Sequence, residues 1–269
     1  MPGKITLYYP LPLLHYKPMR KATPQKKKTV SPSRTKATRA ARTLRGVVVV
    51  IDPGHGGTDP GASREGVYEA ALSYRMAATL AEVLKPLGAE VRFTVRSAAL
   101  RRKPVSGKPE PPLLLPRDAT LLNGQRLNAG REVPQYLHAR AAVAARAWKQ
   151  RRPHVIFIAL HFDVSENPSD HGGFAMWDIR EDHACTLVRE ITRRFSEAGL
   201  CGSRHNRPRP NDLGVLNPEF NPVRQKTLVE LATITNAADR KKALDPKWRW
   251  RVARILAAAI VACKKARLI

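Results

Sequence analysis

Three residues in this chain have the types and placement that hold a hydrolytic metal ion. His55 lies four residues after an apolar run, in the stretch Ile51-Asp52-Pro53-Gly54-His55-Gly56-Gly57. Glu69 opens a segment with helical periodicity, and His161 directly follows a second apolar run, Val155 to Leu160. Two imidazoles and one carboxylate, with a fourth position open, form a set that zinc uses in hydrolases. Zinc in such a site lowers the pKa of its water to about 7 and polarises a carbonyl. A fourth group, Glu230, stands inside the apolar run Leu228-Val229-Glu230-Leu231. A carboxylate there is costly unless it has a partner or a task. General base toward the attacking water is a task that fits it.

Each residue taken singly also has a plainer reading. A glycine-rich turn after a strand can cradle a phosphate, although this one lacks the G-x-x-x-x-G-K-[ST] pattern. A lone histidine at a strand end is most often structural. Glu69 alone would be a carboxylate favoured by a helix dipole, and Glu230 alone an edge-strand charge. The case for a site rests on their coincidence.

The elements that must position these groups are legible as periodicity. Val47 to Ile51 is a β-branched run, the mark of a strand buried on both faces. Glu69 to Leu87 places Leu72, Met76, Leu80, Val83 and Leu87 on one helical side, with Gly88 as the stop. Glu90 to Val95 reads as the next strand, so the order strand, helix, strand predicts a parallel βαβ unit. Further on come a helix over Leu137 to Gln150, the strand Val155 to Leu160 and a short strand over Gly173 to Trp177. A helix over Glu181 to Ala198, a strand over Thr227 to Ala232 and a closing helix over Trp248 to Lys265 follow. Sites in open parallel sheets form beyond the carboxyl ends of strands, and His55 and His161 both sit there. Arg101 to Pro134 breaks the pattern with repeated prolines and glycines. It reads as a long loop or insertion, of a length that is usually functional or disordered. The predicted fold class is therefore α/β, one domain with a mostly parallel, helix-flanked twisted sheet, preceded by a basic disordered arm. The domain spans 46–269 and the arm 1–45.

Composition narrows the setting. The chain has 269 residues, 43% of them apolar, enough for a large single core. The formal charge is +26, and Met1 to Gly46 holds 12 Lys or Arg with no Asp or Glu. Such a surface attracts polyanions. Three widely spaced cysteines, Cys185, Cys201 and Cys263, contain no C-x-x-C pair and read as bystander thiols. Ile5 to Leu14 is interrupted by prolines and tyrosines and makes a poor signal-peptide core. No apolar run is long enough to span a membrane.

The motifs resemble one family. The segment Val47 to Ser63, VVVVIDPGHGGTDPGAS, with Gly66-Val67-Tyr68-Glu69, resembles the opening of the Amidase_3 family of N-acetylmuramoyl-L-alanine amidases. Leu87 to Ser97, Leu137 to Arg140 and Phe157 to Val164 are similar to later family motifs, as are Leu213 to Pro218 and Thr227 to Arg240. The resemblance implies zinc ligation by His55, Glu69 and His161, with Glu230 as the catalytic carboxylate. It implies hydrolysis of the amide between N-acetylmuramic acid and L-alanine in peptidoglycan, with a site of action in the periplasm or cell wall. Arg140 and Asn236 fall on family-like positions with structural or positioning roles. The sequence departs from the family around His161, where Ala159-Leu160-His161-Phe162-Asp163 stands, and after Glu230, where Ala232-Thr233 follows. Asp163 and Asn236 are the candidates for substrate contact.

The expected partner is peptidoglycan, with anionic wall polymers a further target of the basic arm. No recognition helix or finger motif accompanies that arm, which argues against nucleic acid. Two other functions stay open on the sequence. One is a zinc hydrolase of the same fold acting on a different amide. The other is a non-catalytic, basic wall-polymer-binding protein.

Overall fold

The computed structural model describes residues 43–110, 112–127, 133–203 and 207–269. The basic arm expected at the start lies almost wholly outside the described residues.

The central sheet has six strands. β1 (Val48–Pro53), β4 (Glu90–Phe93), β7 (Val155–Asp163) and β10 (Gln225–Thr233) run parallel, β8 (Phe174–Asp178) runs antiparallel to β10, and β9 (Arg209–Asn211) pairs with β8. The order is β4-β1-β7-β10-β8-β9. Two small ribbons complete the strands. β2 (Ser63–Arg64) pairs with β3 (Val67–Tyr68), and β5 (Val95–Arg96) with β6 (Thr120–Leu121). The mostly parallel, helix-flanked sheet expected from the sequence is the sheet observed.

The helices cover both faces. α1 (Glu69–Leu84), α4 (Thr186–Glu197) and α6 (Pro246–Lys265) bury one core against Val49, Ile51, Ile158, Leu160 and Val229. α3 (Val133–Arg151) buries the other against Val48, Val50, Val155, Phe157 and Leu228. Two short helices, α2 (Ala98–Arg101) and α5 (Ala237–Leu244), complete the set. Alternate residues of β1 and β7 thus feed opposite cores, which is why both strands are continuous apolar runs.

Several boundaries differ from the sequence expectation; β7 runs on to Asp163, so His161 lies within the strand rather than after it, and the larger differences are these. α1 ends at Leu84 and tightens into a 3-10 turn over Lys85–Leu87. Pro86 there has no N–H to continue the ladder, and Gly88 closes the turn at φ 87°. The strand expected over Glu90 to Val95 breaks at Thr94, whose hydroxyl donates to Asp52 and whose N–H donates to Ile51 O at 3.2 Å. α3 begins at Val133, a turn before Leu137, so the expected insertion overlaps its start. α4 begins at Thr186 rather than Glu181. Arg180 and Glu181 are engaged elsewhere, with Asp178 and with the Lys226 ammonium.

The Pro/Gly-rich stretch is tied down over its described residues. Arg75 of α1 donates to the carbonyls of Arg102 at 3.5 Å and Pro112 at 3.2 Å. Arg249 of α6 pairs with Glu110, and both are buried. The Asp118 carboxylate accepts from the Ser97 hydroxyl and the Ala98 N–H, each at 2.6 Å. Ala119, Leu121 and Leu127 join the larger core.

Candidate active site

β1 stays in its ladder with β7 through Pro53, and Gly54 N still donates to Leu160 O at 2.9 Å before the chain turns at His55. Arg140, buried on α3, fixes that turn from inside. Its guanidinium donates to Asp52 Oδ1 and Pro53 O at 2.7 Å each, and to His55 O at 2.5 Å. The Tyr74 hydroxyl donates to the same His55 carbonyl at 3.1 Å. These contacts hold His55 at φ 61°, a left-handed conformation that costs a non-glycine residue free energy.

His55, Glu69 and His161 converge. The ligand atoms of all three lie within 4.8 Å of one another. His55 Nε2 is 3.0 Å and His161 Nδ1 is 2.9 Å from the same oxygen, Glu69 Oε1. The two rings meet edge to face with centroids 5.0 Å apart. Glu69 occupies the first turn of α1 and is only 5% exposed. Backbone N–H groups orient its carboxylate, Phe162 N donating to Oε1 at 3.1 Å and Ala62 N to Oε2 at 3.0 Å. Burial opposes the charged carboxylate, but the hydrogen bonds and charges of His161 and His55 outweigh it and hold Glu69 well below the usual range. Burial likewise opposes a charged His55, and Asp59 and Glu69 outweigh it, pushing the imidazole up to about 10.

Asp59 is the group that sequence reasoning missed. His55 Nδ1 donates to its Oδ2 at 2.8 Å, and Gly61 N donates to its Oδ1 at 2.9 Å. A carboxylate on one ring nitrogen fixes the tautomer and aims the other nitrogen at the ligand position. The signal was present four residues beyond His55, in Gly57-Thr58-Asp59-Pro60. Two glycines admit the close approach. A Cβ at Gly54 would stand 2.5 Å from His161 Cε1, and one at Gly61 would stand 2.6 Å from His55 Cδ2 and 2.8 Å from Glu69 Oε2.

Glu230 pairs with His161 in the register of β10 and β7, so the two side chains leave the sheet on one face. A cleft of about 220 Å³ opens on that face beside both imidazoles. Tyr136, Arg140, Leu213, Val215 and Leu228 are among the residues that line it. Leu228 is two residues before Glu230 on the same strand face.

The remaining candidates sit at the edge of this arrangement. Asp163 is two residues beyond His161 at the end of β7, where its carbonyl accepts from Ile234 N at 2.7 Å. Asn236 caps α5, its side chain accepting from Asp239 N at 3.1 Å and donating to Pro168 O at 2.8 Å. The three cysteines are free thiols, and burial raises each pKa. Two nitrogens and one carboxylate oxygen within 4.8 Å of one another suit zinc in number and type.

Known proteins share this architecture. The catalytic domain of CwlV, an N-acetylmuramoyl-L-alanine amidase from Bacillus (Paenibacillus) polymyxa, superposes with a TM-score of 0.58 at 20% identity, covering 83% of this chain and 99% of that one. The CwlD amidase from Clostridioides difficile, solved with the GerS lipoprotein, gives 0.61 at 17% identity, with 82% and 99% covered. The Ami1 amidase from Mycobacterium smegmatis gives 0.61 at 16% identity, with 83% and 99% covered. At these identities the likeness establishes the fold. No curated protein matches in sequence. The family model described as N-acetylmuramoyl-L-alanine amidase matches residues 49–262, most of the chain and every residue of the converging cluster, and the protein therefore belongs to that family.

Proposed function

We propose that this protein is a zinc-dependent N-acetylmuramoyl-L-alanine amidase that cleaves the amide joining the peptide stem to the glycan of peptidoglycan. The observation that carries the reading is the convergence of His55, Glu69 and His161 on one point, beside Glu230 and an open cleft.

His55 and His161 would hold zinc through Nε2 and Nδ1, and Glu69 through Oε1. Zinc in that position supplies Lewis acidity, which polarises a carbonyl and makes water nucleophilic near neutral pH. The protein's own groups do the rest. Asp59 keeps a proton on His55 Nδ1, so that Nε2 presents its lone pair. Arg140 and Tyr74 keep the His55 turn from relaxing out of its strained conformation. Glu230 accepts a proton from the attacking water at a carboxylate oxygen and returns it to the L-alanine nitrogen as that amine leaves. The apolar wall of Leu213, Val215 and Leu228 excludes bulk water from one side of the reacting carbonyl.

The test is to incubate the protein with peptidoglycan sacculi, with and without a zinc chelator, and to identify released fragments by mass spectrometry. Free stem peptides with an L-alanine amino terminus, absent after chelation and restored by zinc, are expected. Release of other fragments, or of none from the zinc-loaded protein, would refute the substrate assignment.

A further inference from the structure

A large hollow on the described surface lies far from the cleft. It is a groove of about 570 Å³ along the outer side of α6, and a second hollow of about 390 Å³ shares Arg194, Arg254 and Ala258 with it. Val83, at the end of α1 remote from Glu69, and Leu87, in the turn that follows it, form part of the wall. Val83 is 14 residues along from Glu69, roughly 20 Å at the helical rise.

Two features set what the groove accepts. The first is the pattern on α6. Arg251, Arg254, Ala258, Val261 and Lys265 recur at spacings of three and four, the seam that one helix offers another. Small side chains at Ala258 and Ala262 leave room for a second backbone to come close. The second is charge. Arg251, Arg254 and Lys265 rim an otherwise apolar floor, together with Arg194, which already pairs with Glu190 at 3.2 Å. The single acidic residue at the rim, Glu197, is already paired with Arg193. Arg251 is held in place by donating to Ala198 O at 2.7 Å, and Arg254 lies 5.8 Å from the Trp250 ring centroid.

We propose that this groove docks an acidic amphipathic helix of a partner protein. The apolar stripe of that helix would lie on Ala258, Val261, Val83 and Leu87, and its flanking carboxylates would meet the basic rim. The same charge argues against other occupants. A second copy would bring cations against cations. So would the residues preceding the groove, since positions 1–46 hold 12 Lys or Arg and no acid. A lipid surface calls for protruding apolar side chains. The large exposed ones among the described residues, such as Tyr68, Val105 and Ile179, do not line this hollow, which is concave.

The experiment uses the full chain and a fluorescein-labelled 21-residue peptide, with leucines at heptad seam positions and glutamates beside them, read by anisotropy. A scrambled peptide of the same composition is the control. Saturable binding is expected for the patterned peptide and not for the scramble. The double variant R254E/K265E changes two exposed side chains, keeps the fold by circular dichroism and leaves sacculus hydrolysis unchanged. It should weaken binding about tenfold and gain about as much for the same peptide with lysines in place of glutamates. Equal binding of the scramble, indifference to R254E/K265E, or no saturable binding would overturn the proposal. Displacement of the peptide by phosphatidylglycerol vesicles would also overturn it, in favour of a lipid site.

Discussion

At the carboxyl edge of the sheet, one oxygen of Glu69 faces two imidazole nitrogens. Between α1 and α6, the Glu110 carboxylate faces the Arg249 guanidinium, with Arg75 also buried nearby. Both are clusters of buried charge around a carboxylate, yet they are built for different ends. Guanidinium keeps its proton at any ordinary pH, so the Glu110 carboxylate has its counter-charge without a further ion, and the pair ties the 101–127 stretch to the helices. Imidazole can present a lone pair or a proton. In the Glu69 cluster the histidine nitrogens and the carboxylate oxygen are close enough together to hold a cation, and His55 is driven up to about 10 by the carboxylates around it. The choice of basic residue separates a fastening from a receptor.

That contrast can be broken in graded steps. The largest effect is expected from His161→Ala, which removes one nitrogen donor. Bound zinc should fall from one per chain toward none by elemental analysis, and sacculus hydrolysis to background, with little change in metal-free melting. Retained stoichiometric zinc would show that the cluster is not the metal site. Next is Glu230→Gln, which keeps shape and removes the base. Zinc should stay bound while kcat drops about a hundred- to ten-thousand-fold. A kcat near that of the parent would take Glu230 out of the chemistry. Asp59→Asn should cost about 10- to 100-fold in zinc affinity, read by competition with a chromophoric chelator. An unchanged affinity would mean that Arg140 and Tyr74 suffice to orient His55. Glu110→Gln has the smallest expected effect on catalysis and a clear one on stability. It leaves a buried guanidinium without its counter-charge, at about 3–5 kcal/mol, visible as a lower urea midpoint. Lost zinc affinity at an unchanged midpoint would reverse the assignment of roles.

The two clusters were not equally legible in the sequence. His55, Glu69 and His161 each sit at a strand end or a helix start, and such positions follow from periodicity and from glycine and proline punctuation. Glu230 was visible because a carboxylate interrupts an apolar run, and its register opposite His161 then follows from sheet pairing. Asp59 was passed over because it lies in a turn, where an aspartate before proline is ordinary. Glu110, Arg75 and Arg249 gave no signal. They are 35 and 139 residues apart from Glu110, and charged residues in a proline-rich stretch look the same whether solvated or buried. The same difficulty hid the order in the 101–127 stretch, whose buried Ala119, Leu121 and Leu127 are too few and too irregularly spaced to show a period. Asn236 carried a family-like position, and its amide bond to the Pro168 carbonyl, 68 residues away in sequence, emerges only from the structure.

The turn that carries His55 leans on that stretch directly. Gly57 N donates to Pro116 O at 2.9 Å, and Thr58 N donates to Leu127 O at 3.0 Å. Those two amides can exchange their hydrogens with solvent only when the stretch lifts away, so their deuterium uptake should follow its opening equilibrium rather than that of β1. The edge that carries His55, Glu69 and His161 is therefore only as long-lived as the 101–127 stretch, and an early sign of heat damage would be isotope uptake at residues 57 and 58 while the sheet beneath is still closed.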